Sequence, residues 1–82
     1  MIRILIAEDE EIIRSGLLYT IDWLSMSAVV IASAATGTEG LEKIKSLRPD
    51  IVITDIKMPG MSGLDMIAEA QKEKIDFIPI VL

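Results

Sequence analysis

The sequence contains no cysteine and no histidine. Without cysteine there is no disulfide framework, no thiolate nucleophile and no zinc-thiolate site. Without histidine the usual general base is missing, and so is the usual phosphohistidine donor. A basic surplus is missing too: 8 Lys and Arg stand against 13 Asp and Glu, a formal charge of −5. Such a surface repels nucleic acid, and no basic stripe offsets it. No apolar run approaches a membrane span; the longest, Ile51–Ile53 and Ile78–Leu82 among them, are strand-sized. The apolar stretch of MIRILIAEDE is too short for a signal peptide and ends in acids, so a cytoplasmic location is expected. Any chemistry must therefore run on carboxylates, hydroxyls, Lys, Arg or a bound hard cation.

What remains is a core-forming composition. Of the 82 residues, 51% are hydrophobic and 26% charged, enough for one small domain with a thin stability margin. Ile2–Ala7 is a nearly continuous apolar run, as expected of a parallel strand buried on both faces. Acids follow at Glu8, Asp9, Glu10 and Glu11. Ile13, Leu17, Ile21 and Leu24 then recur at helical spacing. The pattern predicts a helix from about Glu10 to Leu24, with Asp9 near its N-cap.

Ala28–Ala34 predicts a second strand. Thr36 and Glu39 have capping-box spacing, Leu41, Ile44 and Leu47 supply the apolar face of a helix, and Pro49 stops it. Ile51–Asp55 predicts a third buried strand. In KMPGMSG, Pro59 and Gly60 are placed for a tight turn. Ser62 and Asp65 cap a third helix, Gly63 to about Lys74, and Ile78–Leu82 begins a fourth strand. The alternation β-α-β-α-β-α-β implies an α/β fold with a parallel sheet and helices on both faces.

In open parallel sheets, ligands bind beyond the carboxyl ends of the strands. Strand one runs into Glu8 and Asp9; strand three runs into Asp55. If those strands are neighbours, three carboxylates converge, which is costly unless a cation neutralises them. Magnesium takes hard oxygen ligands, and its remaining positions can face a phosphoryl oxygen. A carboxylate can attack phosphorus, so the pattern favours a phosphorylatable Asp with magnesium beside it. Each element alone is bland. Asp9 alone is a plain N-cap, the run EDEE a solvated first turn, and Asp55 a turn residue. Specificity lies in the combination.

That combination resembles the receiver domain of two-component response regulators. The matching segments are ILIAEDE at Ile4–Glu10, ATGTEGLEKI at Ala35–Ile44 and PDIVITDIKMPGMSGLD at Pro49–Asp65. The segment Ile21–Trp23 is similar to receivers joined to AraC-type DNA-binding domains. The resemblance implies a flavodoxin-like (CheY-like) sheet of order 2-1-3-4, with strand five and the last two helices missing, so that residues 1–82 form one truncated receiver domain. It implies that a sensor histidine kinase phosphorylates Asp55. It also implies that Asp9 and Asp55 ligate Mg2+ directly, with Glu8 acting through water and the backbone carbonyl of Lys57 a further ligand. Met58 and Pro59 would shape the loop, and Gly63 would let the next helix begin close by.

In that family a Ser or Thr ends strand four and a Lys ends strand five; both would lie past Leu82. The expectation is weak magnesium binding, poor phosphorylation and no switching. An exposed Ile78–Leu82 edge, beside a bare sheet face, further predicts self-association or marginal folding.

Three rivals differ in chemistry. A haloacid-dehalogenase-type phosphatase would need a second Asp two residues after Asp55, where Lys57 stands. A non-catalytic interaction or dimerisation fragment would leave Asp55 unused. A nucleotide-binding domain would need GxGxxG after strand one, and Gly37 with Gly40 does not supply it.

Overall fold

The computed structural model describes all residues from Met1 to Leu82. The elements in chain order are β1 (Ile2–Ala7), α1 (Glu11–Thr20), a 3-10 turn (Leu24–Met26), β2 (Ala28–Ala34), α2 (Gly37–Leu47), β3 (Ile51–Thr54), α3 (Gly63–Lys72) and β4 (Ile78–Val81). The strands form one sheet of order β2-β1-β3-β4, every pair parallel. This is the flavodoxin-like, CheY-like arrangement, with β1 and β3 side by side at its centre.

Residues alternate between the two sheet faces, as the period of two in a strand requires. Leu5, Ala7 and Val52 point to one face and pack with Ile44 of α2 and Met66, Ile67 and Ala70 of α3. Ile4, Ile6 and Ile53 point to the other, toward Leu17 and Leu18 of α1 and toward Trp23. The two faces are not equally covered. Both α2 and α3 bury residues completely, whereas α1 buries none. The α1 face consequently keeps an apolar groove of about 190 Å³, whose lining includes Ile4, Trp23, Ile53 and Ile80.

The first helix starts close to expectation and ends short of it. Its N-cap is Glu10, the residue after Asp9, and no side chain caps it. At the other end it stops at Thr20, four residues before Leu24. The chain turns extended at Ile21, the helix C-cap, and Asp22 then braces the 3-10 turn that follows. Its Oδ1 accepts the Ser25 N–H at 3.3 Å, and its carbonyl accepts the Ser25 hydroxyl at 2.7 Å. Short polar side chains compete with the helix in this way. Leu24 therefore sits exposed in the 3-10 turn.

The other two helices start where the capping residues put them. Thr36 Oγ1 accepts the Glu39 N–H at 3.0 Å, and Glu39 Oε1 accepts from the Ala35 N–H at 3.1 Å, one residue upstream of the usual reciprocal bond. Ser62 Oγ accepts the Asp65 N–H at 3.1 Å. Helix α2 ends at Leu47, with Arg48 as its C-cap in the left-handed region just before Pro49. Helix α3 ends at Lys72, with Glu73 as its C-cap and Lys74 at φ 58°, so the expected end at Lys74 is two residues long.

At the sheet margin, all four residues of β4 are exposed. The Ile78 N–H bonds to the carbonyl of Asp50, just before β3, and the Leu82 N–H to that of Thr54 at its end. Strand alternation then turns the main chain of Pro79 and Val81 outward. Pro79 has no N–H, so this open edge is short of donors, as edge strands often are.

Leu5 is fully buried at the centre of the larger core. Leu5→Ala is expected to cost about 3 kcal/mol, read as a lower urea midpoint with unchanged slope. A change near zero would contradict this packing.

Candidate phosphoacceptor and metal site

The site begins with the register of β1 and β3. Ala7 pairs with Thr54, and the Asp55 N–H donates to the Ala7 carbonyl at 3.1 Å. On the other side, the Glu8 N–H donates to the Ala34 carbonyl of β2 at 2.9 Å. The two strand ends are thus fixed level with each other. Carboxylate oxygens of Glu8, Asp9 and Asp55 all lie within 4.8 Å of one another. Glu8 is buried, Asp9 exposed and Asp55 intermediate.

Few groups answer these charges. Asp55 Oδ1 accepts the Ile56 N–H at 2.8 Å, and Glu8 Oε1 accepts the Glu10 N–H at 3.3 Å. The three ion pairs of the molecule, Lys43–Glu39, Lys45–Glu73 and Lys72–Glu69, all lie elsewhere. The effect is felt at Glu8. Lost hydration pushes its carboxyl above the usual range; the Glu10 amide opposes this, and repulsion from Asp55, Asp9 and Glu10 adds to it.

The loop after β3 closes over this edge. Gly60 sits at φ 79° beyond Pro59, and the Met61 N–H bonds the Pro59 carbonyl at 3.0 Å. Gly63 opens α3 with its N–H on the Ile56 carbonyl at 2.7 Å. A Cβ at position 63 would overlap the Asp55 carbonyl oxygen and press on Thr54 Oγ1. Only glycine lets α3 start this close to the strand end. Lys57 stands exposed in the loop, two residues past Asp55, and Met58 and Met61 pack against the larger core.

All three acidic residues singled out in the sequence therefore meet. Two neighbouring features escaped it. One is the Ile56 amide on Asp55 Oδ1, a main-chain group with no sequence signature. The other is Arg14, whose guanidinium Nη1 donates to the Glu8 carbonyl at 2.8 Å. Its place in the second turn of α1 gave no warning of that reach.

A parallel sheet of this order with three acids at the tips of β1 and β3 defines a class. The model of the response regulator receiver domain matches residues 4–82, and the chain belongs to that family. It is 46% identical over 80 residues to the transcriptional regulatory protein YesN of Bacillus subtilis (strain 168), covering 95% of this chain and 22% of that protein. It superposes with a TM-score of 0.90 on the receiver domain of AraT, a response regulator from Geobacillus stearothermophilus, at 38% identity over 99% of this chain and 64% of that one. A two-component transcriptional regulator AraC from Clostridium phytofermentans ISDg gives a TM-score of 0.86 at 31% identity, covering 99% of this chain and 65% of that one. The chain thus spans about a fifth of the length of YesN and about two-thirds of these solved domains. No helix is long and apolar enough to cross a membrane.

The raised carboxyl of Glu8 has a pH consequence in metal-free protein. The folded state holds this proton to higher pH than the unfolded chain does. Stability from this group is therefore greatest below the ordinary carboxylate range and falls as pH rises through the raised value. Glu8→Gln removes the charge and keeps an acceptor for the Glu10 amide. In EDTA it is expected to unfold at higher urea than the wild type at pH 7, the gain vanishing near about pH 4. A Glu8→Gln protein less stable than wild type at pH 7 would contradict the crowding of charge.

Proposed function

We propose that Asp55 accepts a phosphoryl group from a sensor histidine kinase, and that Asp9 and Asp55 ligate Mg2+, with Glu8 reaching it through water and the Lys57 carbonyl as a further ligand. The observation that carries this reading is the convergence of three unpaired carboxylates within 4.8 Å at the tips of β1 and β3. The donor set fits the ion. It consists of hard oxygens only, and repulsion within it is what a divalent cation would relieve. Bound there, magnesium would offset the negative charge of the incoming phosphoryl oxygens.

The chain's own groups supply the rest. The Ile56 N–H occupies Asp55 Oδ1 and fixes the carboxylate plane. Oδ2 is left as the attacking oxygen. Its lone pair forms the O–P bond as the N–P bond of the donor's phosphohistidine breaks, and the imidazole nitrogen keeps that electron pair. The product is an acyl phosphate on Asp55. The protein acts as its own acceptor in the cytoplasm, so it is a signalling domain rather than a turnover enzyme. A DNA-binding output in the parent protein is the role that the names of YesN and the AraC regulator support.

Within residues 1–82, which we take as one folding unit, no cationic side chain pairs with the three carboxylates. Transfer is accordingly expected to be incomplete. With Mg2+ and acetyl phosphate, a minor fraction of the chain should gain one phosphoryl mass, and Asp55→Asn or EDTA should abolish the gain. Equal labelling of Asp55→Asn would overturn the assignment, and stoichiometric, stable labelling would overturn the expected impairment.

The exposure of β4 favours a second reading, in which this chain also works as an interaction fragment. Ile78 and Ile80 are exposed on the α1 face, in register with Ile51 and Ile53, and Ile80 lines the apolar groove there. The groove, rather than the donor-poor strand edge, would drive association. Sedimentation should show reversible dimers that Ile80→Lys disperses. A wild-type monomer at high concentration would refute this.

A further inference from the structure

We infer that Arg14 is a positioning residue for the acidic site, holding the β1–α1 turn so that Glu8 and Asp9 face Asp55. The inference rests on the metal-site reading given above.

The turn Glu8-Asp9-Glu10 carries three consecutive acids and enters α1 without a side-chain cap. Helix starts normally satisfy their first N–H groups with a capping oxygen. Here Glu8 Oε1 gives the Glu10 N–H only a long bond of 3.3 Å. Repulsion between Glu8 and the neighbouring Asp55, Asp9 and Glu10 works against this compact turn. The sheet holds the Glu8 N–H, and the carbonyl side of the turn needs a partner of its own.

Arg14 is placed to be that partner. One turn into α1, it folds back to a residue six positions earlier in the chain. Its Nη1 donates to the Glu8 carbonyl at 2.8 Å and lies 3.5 Å from the Asp9 carbonyl, at the limit of a hydrogen bond. The guanidinium thus spans the two peptide units that carry the acidic side chains. Its own N–H bonds the Glu10 carbonyl at 2.9 Å, so the clamp is anchored in the helix. The Glu8 N–H is held by Ala34 of β2 at the far side of the same residue. Glu8 is therefore pinned from the sheet by its N–H and from the helix by its carbonyl. The guanidinium binds carbonyls and not carboxylates, which leaves the side chains available to a metal.

Two roles for a cation in this position make opposite predictions. If Arg14 acted only as a nearby positive charge, removing it would tighten Mg2+ binding, because one repulsion would be lost. If it positions the ligands, removing it weakens binding even though the site becomes more negative. Groups that orient metal ligands typically change affinity by about tenfold or more when lost.

The experiment is Mg2+ titration by calorimetry on the 82-residue chain, with two-dimensional amide NMR spectra of the metal-free proteins. Arg14→Met, which keeps the stem, is expected to bind Mg2+ about tenfold more weakly and to shift the Asp9 and Glu10 amides before metal is added. Arg14→Lys, with one donor in reach, should recover most of the affinity. Should Arg14→Met fail to fold, Arg14→Gln takes its place under the same expectations. Affinity equal to or tighter than wild type in Arg14→Met or its substitute overturns the inference. Asp9→Asn separates the two levels. If wild type binds Mg2+ and Asp9→Asn does not, the site reading holds and Arg14 alone is on trial; if both bind alike, the site reading itself has failed.

Discussion

The structure turns on an electrostatic conflict imposed by backbone pairing. The ladder between β1 and β3 places Ala7 opposite Thr54, and the next residues on both strands are acids. The Asp55 N–H to the Ala7 carbonyl and the Glu8 N–H to the Ala34 carbonyl leave no freedom for these ends to part. Three carboxylates are held together by hydrogen bonds and a hydrophobic core that have nothing to do with charge. The fold supplies the energy of confinement, and the site inherits the repulsion. That repulsion is what makes the strand tips receptive to a hard cation.

Seen this way, several features around the site serve one end. Gly63 lets α3 begin against the Asp55 carbonyl. Gly37 does the corresponding thing at α2, where a Cβ would run into the Met61 carbonyl of the loop beyond Asp55. Two helix starts and one loop are therefore locked against each other above the sheet. Both helices also have side-chain caps, from Thr36 and Ser62, whereas α1 has none. The first helix begins beside the acids, and there the holding is done by side chains reaching back, Glu8 to the Glu10 amide and Arg14 to the Glu8 carbonyl.

What could be read from the sequence divides along physical lines. The strands were legible to within one residue at their ends, because apolar runs ending in acids mark buried strands; their order, and with it the meeting of Glu8, Asp9 and Asp55, followed from the resemblance to receiver domains and not from the runs themselves. The capping pairs Thr36/Glu39 and Ser62/Asp65 were legible because they act over three residues. Apolar spacing extended α1 to Leu24; it did not register that the chain turns extended at Ile21 and that Asp22 then bonds Ser25 in a separate turn. Asp9 does stand next to the N-cap, Glu10, but its carboxylate lies in the cluster and caps no amide of the helix. Gly37 was weighed only as part of a nucleotide motif. Its actual constraint, contact with Met61, depends on a loop more than twenty residues away and has no local pattern. Arg14 and the Ile56 amide belong to the same category of long reach or main-chain action.

The uneven cover of the two sheet faces links stability to function. On one face, α2 and α3 close over Leu5, Val52 and Met66, and the larger core forms there. This face positions Asp55, because α3 abuts it through Gly63. On the other face α1 lies alone, buries no residue fully and leaves an apolar groove next to β4. Glu8, Asp9 and Arg14 belong to the chain that leads into this less firmly seated helix. The half of the site that supplies Asp55 is thus rooted in the well-packed layer, and the half that supplies Glu8 and Asp9 in the looser one. Local stability follows packing, so the β1–α1 turn is where geometry is most easily lost.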